Sequence, residues 1–119
     1  MVLRMVIAHV FASIPVVSRD AAASWYERLF GRQPDLVPND AEAAWRLTES
    51  AWVYVIADEA RAGSALHTLL VDDLDAFVAG VVERGISADP VVTMGNGVRT
   101  AWVADPDGNR IQVGQPPDR

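Results

Sequence analysis

Asp105-Pro106-Asp107-Gly108-Asn109-Arg110-Ile111-Gln112-Val113 is a tight turn running straight into a short strand. Pro106 sets φ near about −65° for the first corner. Asp107 and Asn109 can bond their own backbone, and Gly108 supplies the positive φ that closes the reversal. Beyond the turn, the two-residue period of a strand puts Ile111 and Val113 on one face and Arg110, Gln112 and Gly114 on the other. Gln112 therefore stands on a polar face, a short strand's length from a rigid turn.

Upstream of this turn, Val98 to Ala104 and Val91 to Met94 are apolar runs joined by Gly95-Asn96-Gly97, a hairpin signal. Before them, Leu74, Phe77, Val78, Val81 and Val82 form one stripe of a 3.6-residue helix. Asp72 or Asp73 caps that helix and Gly85 stops it. Ala65 to Val71 is the strand leading in. The first half has the same order. A strand lies in Val6 to Val17, with Pro15 confined to its end or to a sheet edge because it cannot donate to a ladder. Ser18 or Asp20 caps a helix whose stripe is Ala22, Trp25, Tyr26, Leu29 and Phe30, and Gly31 ends it. Strands follow at Ala43 to Leu47 and Ala51 to Ala57, around Thr48-Glu49-Ser50. One further strand is expected between Gln33 and Glu42, and the tail Gln115 to Arg119 is expected to fray.

Two copies of strand–helix–strand–strand–strand, offset by about 52 to 55 residues, predict an α+β fold. A single domain spans 1–119, with module one at about 6–60 and module two at about 64–115. Together the modules make a curved eight-stranded mixed sheet with both helices on its convex side. The free concave side is a cup for a small ligand.

Composition narrows the function. The net charge of −6 argues against nucleic acid. No stretch reaches the roughly 20 apolar residues that cross a bilayer. The apolar start of the chain is a better strand than a signal peptide, which places the protein in the cytoplasm. Cysteine is absent and every basic side chain is arginine, so thiolate and lysine Schiff-base chemistry are excluded. The Ala/Val/Arg/Asp bias hints at a GC-rich bacterial genome.

Ser24-Trp25-Tyr26-Glu27-Arg28-Leu29-Phe30-Gly31, Val71-Asp72-Asp73-Leu74-Asp75 and Asp105-Pro106-Asp107-Gly108-Asn109, in this order and spacing, resemble the vicinal oxygen chelate superfamily. That superfamily includes glyoxalase I, extradiol dioxygenases, fosfomycin-resistance enzymes and bleomycin-binding proteins. The resemblance covers about Val6 to Gln115 and implies a homodimer. In the metal-dependent members four cup-facing side chains, His and Glu, hold a divalent ion that acts as a Lewis acid. Carried over, those positions fall on Phe11, Tyr54, Leu66 and Gln112. Phe and Leu have no donor atoms, Tyr is an uncommon ligand, and one amide oxygen cannot hold an ion by itself.

The expected function is therefore a small-molecule-binding protein of the glyoxalase/bleomycin-resistance type, without cofactor. Phe11, Ser13, Tyr54, Leu66, Thr68, Trp102 and Gln112 line its cup, and Ser13, Thr68 and Gln112 orient the ligand. The alternative is a divalent-metal-dependent lyase, isomerase or dioxygenase. It would use a shifted His9 or His67 with Gln112 and Glu49 or Asp58, brought in by a bulge. A third possibility is an oligomerisation domain whose cup is filled by its own aromatics. In the regular register His67 points to the helix side, whereas His9 shares the parity of Phe11. Trp25 and Tyr26 belong to the core. At least one of Trp45, Trp52 and Trp102 faces the cup. Arg46 and Arg99 are solvated rim residues or, alternatively, an anion clamp. Asp105 and Asp107 are explained by their turn, and Asp58 and Glu59 by solvent.

Overall fold

A computed structural model describes residues 6–117. Module one runs β1 (Val10–Val16), α1 (Arg19–Phe30), β2 (Leu36–Asn39), β3 (Glu42–Arg46) and β4 (Ala51–Ala57). Module two repeats it as β5 (Leu66–Leu70), α2 (Leu74–Glu83), β6 (Val92–Thr93), β7 (Arg99–Ala104) and β8 (Arg110–Gln115). The strand with no clear signature is β2, and the tail from Asp118 lies outside the described residues.

The eight strands are divided between two four-stranded ladders of the same order, β1-β4-β3-β2 and β5-β8-β7-β6. In each, the first strand pairs parallel to the last and the rest is antiparallel. β1 and β5 are the edges that meet. They do not form a ladder. Their seam is held by single bonds: Gly63 N–H and Asn109 Nδ2 both donate to the Pro15 carbonyl, at 3.4 and 2.8 Å. Pro15 sits on this edge, as its missing N–H requires.

Both helices begin where a side chain accepts an otherwise unpaired N–H. Ser18 Oγ takes the Ala21 N–H and Asp73 Oδ1 the Ala76 N–H. α1 ends on Gly31 in the left-handed region, φ 75°. One core joins the modules. Ile14, Val16, Trp45, Val53 and Val55 from the first ladder pack with Ala101, Val103, Ile111 and Val113 from the second, under Tyr26, Leu29, Leu74 and Val81 of the helices.

Three details differ from expectation. The first strand begins at Val10, because Val6 to His9 join no strand among the described residues and stand exposed. Gln115 does not fray: it pairs with Arg99 in the ladder, and its side-chain oxygen accepts the Leu74 N–H at the start of α2, 2.7 Å. Asp105 and Asp107 do more than close a turn. Asp107 accepts from Val17 N–H and Asp105 from Tyr26 O–H, so the turn of module two clasps module one.

Candidate functional site

Residues paired across a ladder share a face, so the registers assign the cup row by row. In module one, Phe11 pairs with Trp52 and Ser13 with Tyr54, with Arg46 beside Trp52. In module two, Leu66 pairs with Arg110, and Thr68 with Gln112, which in turn pairs with Trp102. The alternate residues (Ile14, Val53, Val55, Ile111 and Val113) are buried beneath the helices. All seven residues expected to line the cup thus lie on the sheet face turned away from the helices.

The module-one wall is aromatic. Phe11 and Trp52 stack with centroids 5.1 Å apart and planes at 17°. Tyr54 stands edge-on to Phe11 at 6.5 Å. Phe11 is 51% exposed and Leu66 62%, so apolar surface is presented to solvent. Two guanidinium groups sit on this face. Arg46 lies 5.9 Å over the Trp52 ring, its nitrogens bonded to the carbonyls of Thr48 and Glu49. Arg110 lies 4.2 Å over the Trp102 ring. Thr68 Oγ1 donates to Gln112 Oε1 at 3.4 Å, which leaves the Gln112 amide N–H groups as donors.

Sequence reasoning left open which tryptophan faces the cup. Trp52 and Trp102 do; Trp45 is fully buried, its indole N–H donating to the Arg32 carbonyl at 3.0 Å. Arg46, expected at a rim or as an anion clamp, lies on this face beside Trp52; Arg110 was not named for the cup, although its parity with Gln112 was the available signal. Arg99 is not on this face. It forms a two-pronged pair with Asp75 of α2, 2.8 and 3.2 Å, and each group stabilises the other's charge: Asp75 is held below the usual carboxylate range and Arg99 pushed up. In the rim loop, the Arg46 backbone N–H and then Arg32 hold Asp35 low in the same way.

The donor set does not fit a divalent ion. Of the four positions implied by the resemblance, Phe11 and Leu66 offer hydrocarbon, Tyr54 a phenol, and Gln112 an oxygen already accepting from Thr68. The shifted histidines do not repair it. His9 lies exposed before β1, and His67 points to the helix side, its Nε2 3.0 Å from the Ser13 carbonyl. Asp58 pairs with Arg61 at 3.0 Å. Among the described residues no three His, Cys, Asp or Glu side chains gather into a metal-binding group.

A second space lies beside β5, between the β3–β4 turn and the helices. It is a cavity of about 430 Å³ whose lining includes Phe30, Leu47, Ala51 and Phe77 together with Thr68 and Leu70 of the cup strand. It is lined mainly by hydrocarbon.

A duplicated βαβββ chain with a side-chain-lined cup is the architecture of the glyoxalase-like class. The Glyoxalase/Bleomycin resistance protein/Dioxygenase superfamily model matches residues 6–113, and the chain belongs to that superfamily. It is similar to a glyoxalase/bleomycin resistance protein from Catenulispora acidiphila DSM 44928, at 40% identity over 92% of this chain and 98% of that one, TM-score 0.87. It is also similar to TnmS3, an antibiotic binding protein from Streptomyces sp. CB03234, at 26% identity over 95% and 99%, TM-score 0.75. A bleomycin-binding protein in complex with bleomycin shares the fold at 20% identity over 90% and 97%, TM-score 0.75. No curated protein matches the chain. Among the described residues no helix is long and apolar enough to cross a membrane.

Proposed function

We propose that this protein binds a small, largely apolar organic molecule in its cup without a metal ion. The stacked Phe11–Trp52 pair, with Tyr54 at its edge, carries the reading. A flat, half-exposed aromatic wall gains on covering by a planar ligand, at about 25 cal/mol per Å² of apolar area plus roughly 0.5–1.5 kcal/mol per aromatic contact. Phe11, Leu66, Tyr54 and Trp102 supply the wall, while Ser13, Thr68 and Gln112 orient the ligand by hydrogen bonds. Sequestering a hydrophobic antibiotic or metabolite in this way needs no catalytic group. The antibiotic-binding relatives support that class of ligand.

We further propose that the protein acts as a homodimer with its cups near the interface. The exposed wall and the open shape support this. The radius of gyration is 15.4 Å, against about 13.5 Å expected for a compact chain of this length.

Thermal-shift screening of aromatic, glycopeptide and polyketide compounds tests the binding. At least one is expected to raise the melting temperature of the wild type, and Phe11→Ala to reduce that rise. No stabilisation by any compound, or a stoichiometric divalent ion after chelator-free purification, overturns the reading.

A further inference from the structure

We infer that the ligand of the cup is a planar molecule carrying an anionic group, with Arg110 as the charge partner of that group. This rests on the cup reading above and adds to it the sign of the ligand's charge. Most arginines here are already engaged. Arg19, Arg32, Arg61 and Arg99 lie against carboxylates. Arg84 bonds the carbonyls of Arg28 and Leu29, and Arg46 those of Thr48 and Glu49. Among the described residues the Arg110 guanidinium makes no ion pair and no hydrogen bond; it lies over the Trp102 ring, 4.2 Å from its centroid. The Arg28 side chain also lacks a partner among the described residues, but it is on α1, on the helical side.

The ring beneath it anchors the guanidinium, whose N–H groups have no protein partner and can take a carboxylate through two parallel bonds. Gln112 is two residues along the same face. Its oxygen already accepts from Thr68, which leaves its amide N–H groups as donors on that face. Both polar groups therefore call for an acceptor. The formal charges on cup-facing strand positions are Arg46, Arg110 and Glu42, two guanidiniums against one carboxylate, and Glu42 is bonded by Asn39 at 3.2 Å. These strand positions carry more positive than negative charge on a chain of net charge −6. A cationic ligand would have to displace the guanidiniums that cover Trp52 and Trp102.

Calorimetric titration with three probes of one shape tests this: 2-naphthoate, the neutral 2-naphthamide and the cationic trimethyl-2-naphthylammonium. The carboxylate is expected to bind about tenfold more tightly than the amide, with the advantage shrinking as salt is added. Arg110→Gln should bring the carboxylate down to the level of the amide. If the amide or the ammonium binds the wild type as tightly as the carboxylate, the anionic ligand is ruled out while the cup reading stands. If Arg110→Gln keeps the preference, Arg110 is not the partner. If none of the three binds, the anion and the cup reading fall together.

Discussion

Asn109 is fully buried, and its side chain bonds three separate groups: the Ala65 N–H, the Pro15 carbonyl and the Asp105 carboxylate. Removing it would leave a buried donor and acceptors unpaired at the junction of both modules. Asn109→Ala is expected to cost about 3 kcal/mol or more, read as a lower midpoint in urea denaturation. Its neighbour Asp105 also receives the Tyr26 hydroxyl at 2.8 Å in the core. Burial first, and then the Asp105 charge, push the Tyr26 phenol far above its usual value. A raised folded-state value means that this contribution is fully present below the unfolded phenol pKa of about 10 and is lost as pH rises above it. Stability should therefore fall on the alkaline side, and Tyr26→Phe should flatten that slope while costing about 1–3 kcal/mol at neutral pH. In a Tyr54→Phe background, where Tyr26 is the remaining tyrosine, absorbance at 295 nm should rise only with unfolding. A phenol that ionises in the folded protein near its ordinary value would refute the account.

At the scale of elements, the joints between strands and helices rely on glycine in two unequal ways. Gly31 ends α1 at φ 75°, and a methyl group there would meet the flexible end of the Arg84 side chain. Gly63 lies between the modules at φ 87°, and a methyl group there would run into the backbone carbonyl of Asp107, which cannot yield. Both substitutions to alanine pay the left-handed penalty of about 1–2 kcal/mol, but Gly63→Ala must also push the clasp turn away from β1. Gly63→Ala is expected to lower the thermal midpoint clearly more than Gly31→Ala, and equal losses would mean that the turn moves freely. The start of α2 draws support from a side chain 41 residues away, Gln115. Gln115→Ala should cost about 1 kcal/mol, with the first turn of α2 losing hydrogen-exchange protection before the rest.

At the scale of the whole molecule, the two modules share a core on the helical side, while their edges β1 and β5 touch at isolated points. That geometry buries the clasp and leaves the aromatic wall open to solvent. Such an exposed apolar surface favours covering by a second copy. Light scattering coupled to gel filtration is expected to give a dimer of the 12.9 kDa chain at micromolar concentration. A monomer would mean that the wall is covered by ligand alone.

The amino-acid order by itself determined the duplicated module, the capping of both helices and the face of the last strand on which Gln112 lies, while Phe11 and Leu66 were placed through the family resemblance. Periods of 3.6 and 2 residues, and turn residues with restricted φ, are local properties that need no tertiary context. The resemblance supplied the four metal positions, and the side chains standing there are poor in donors. Local periodicity could not assign the tryptophans, since all three strands carrying them are apolar on both faces and alternation loses its contrast; only packing under α1 placed Trp45 inside and Trp52 outside. Nor could it connect Tyr26 with Asp105, 79 residues apart, or separate the idle Arg110 from the paired Arg99. Partnership between distant side chains is set by how the modules dock, and the docking exists only once the shared core has formed.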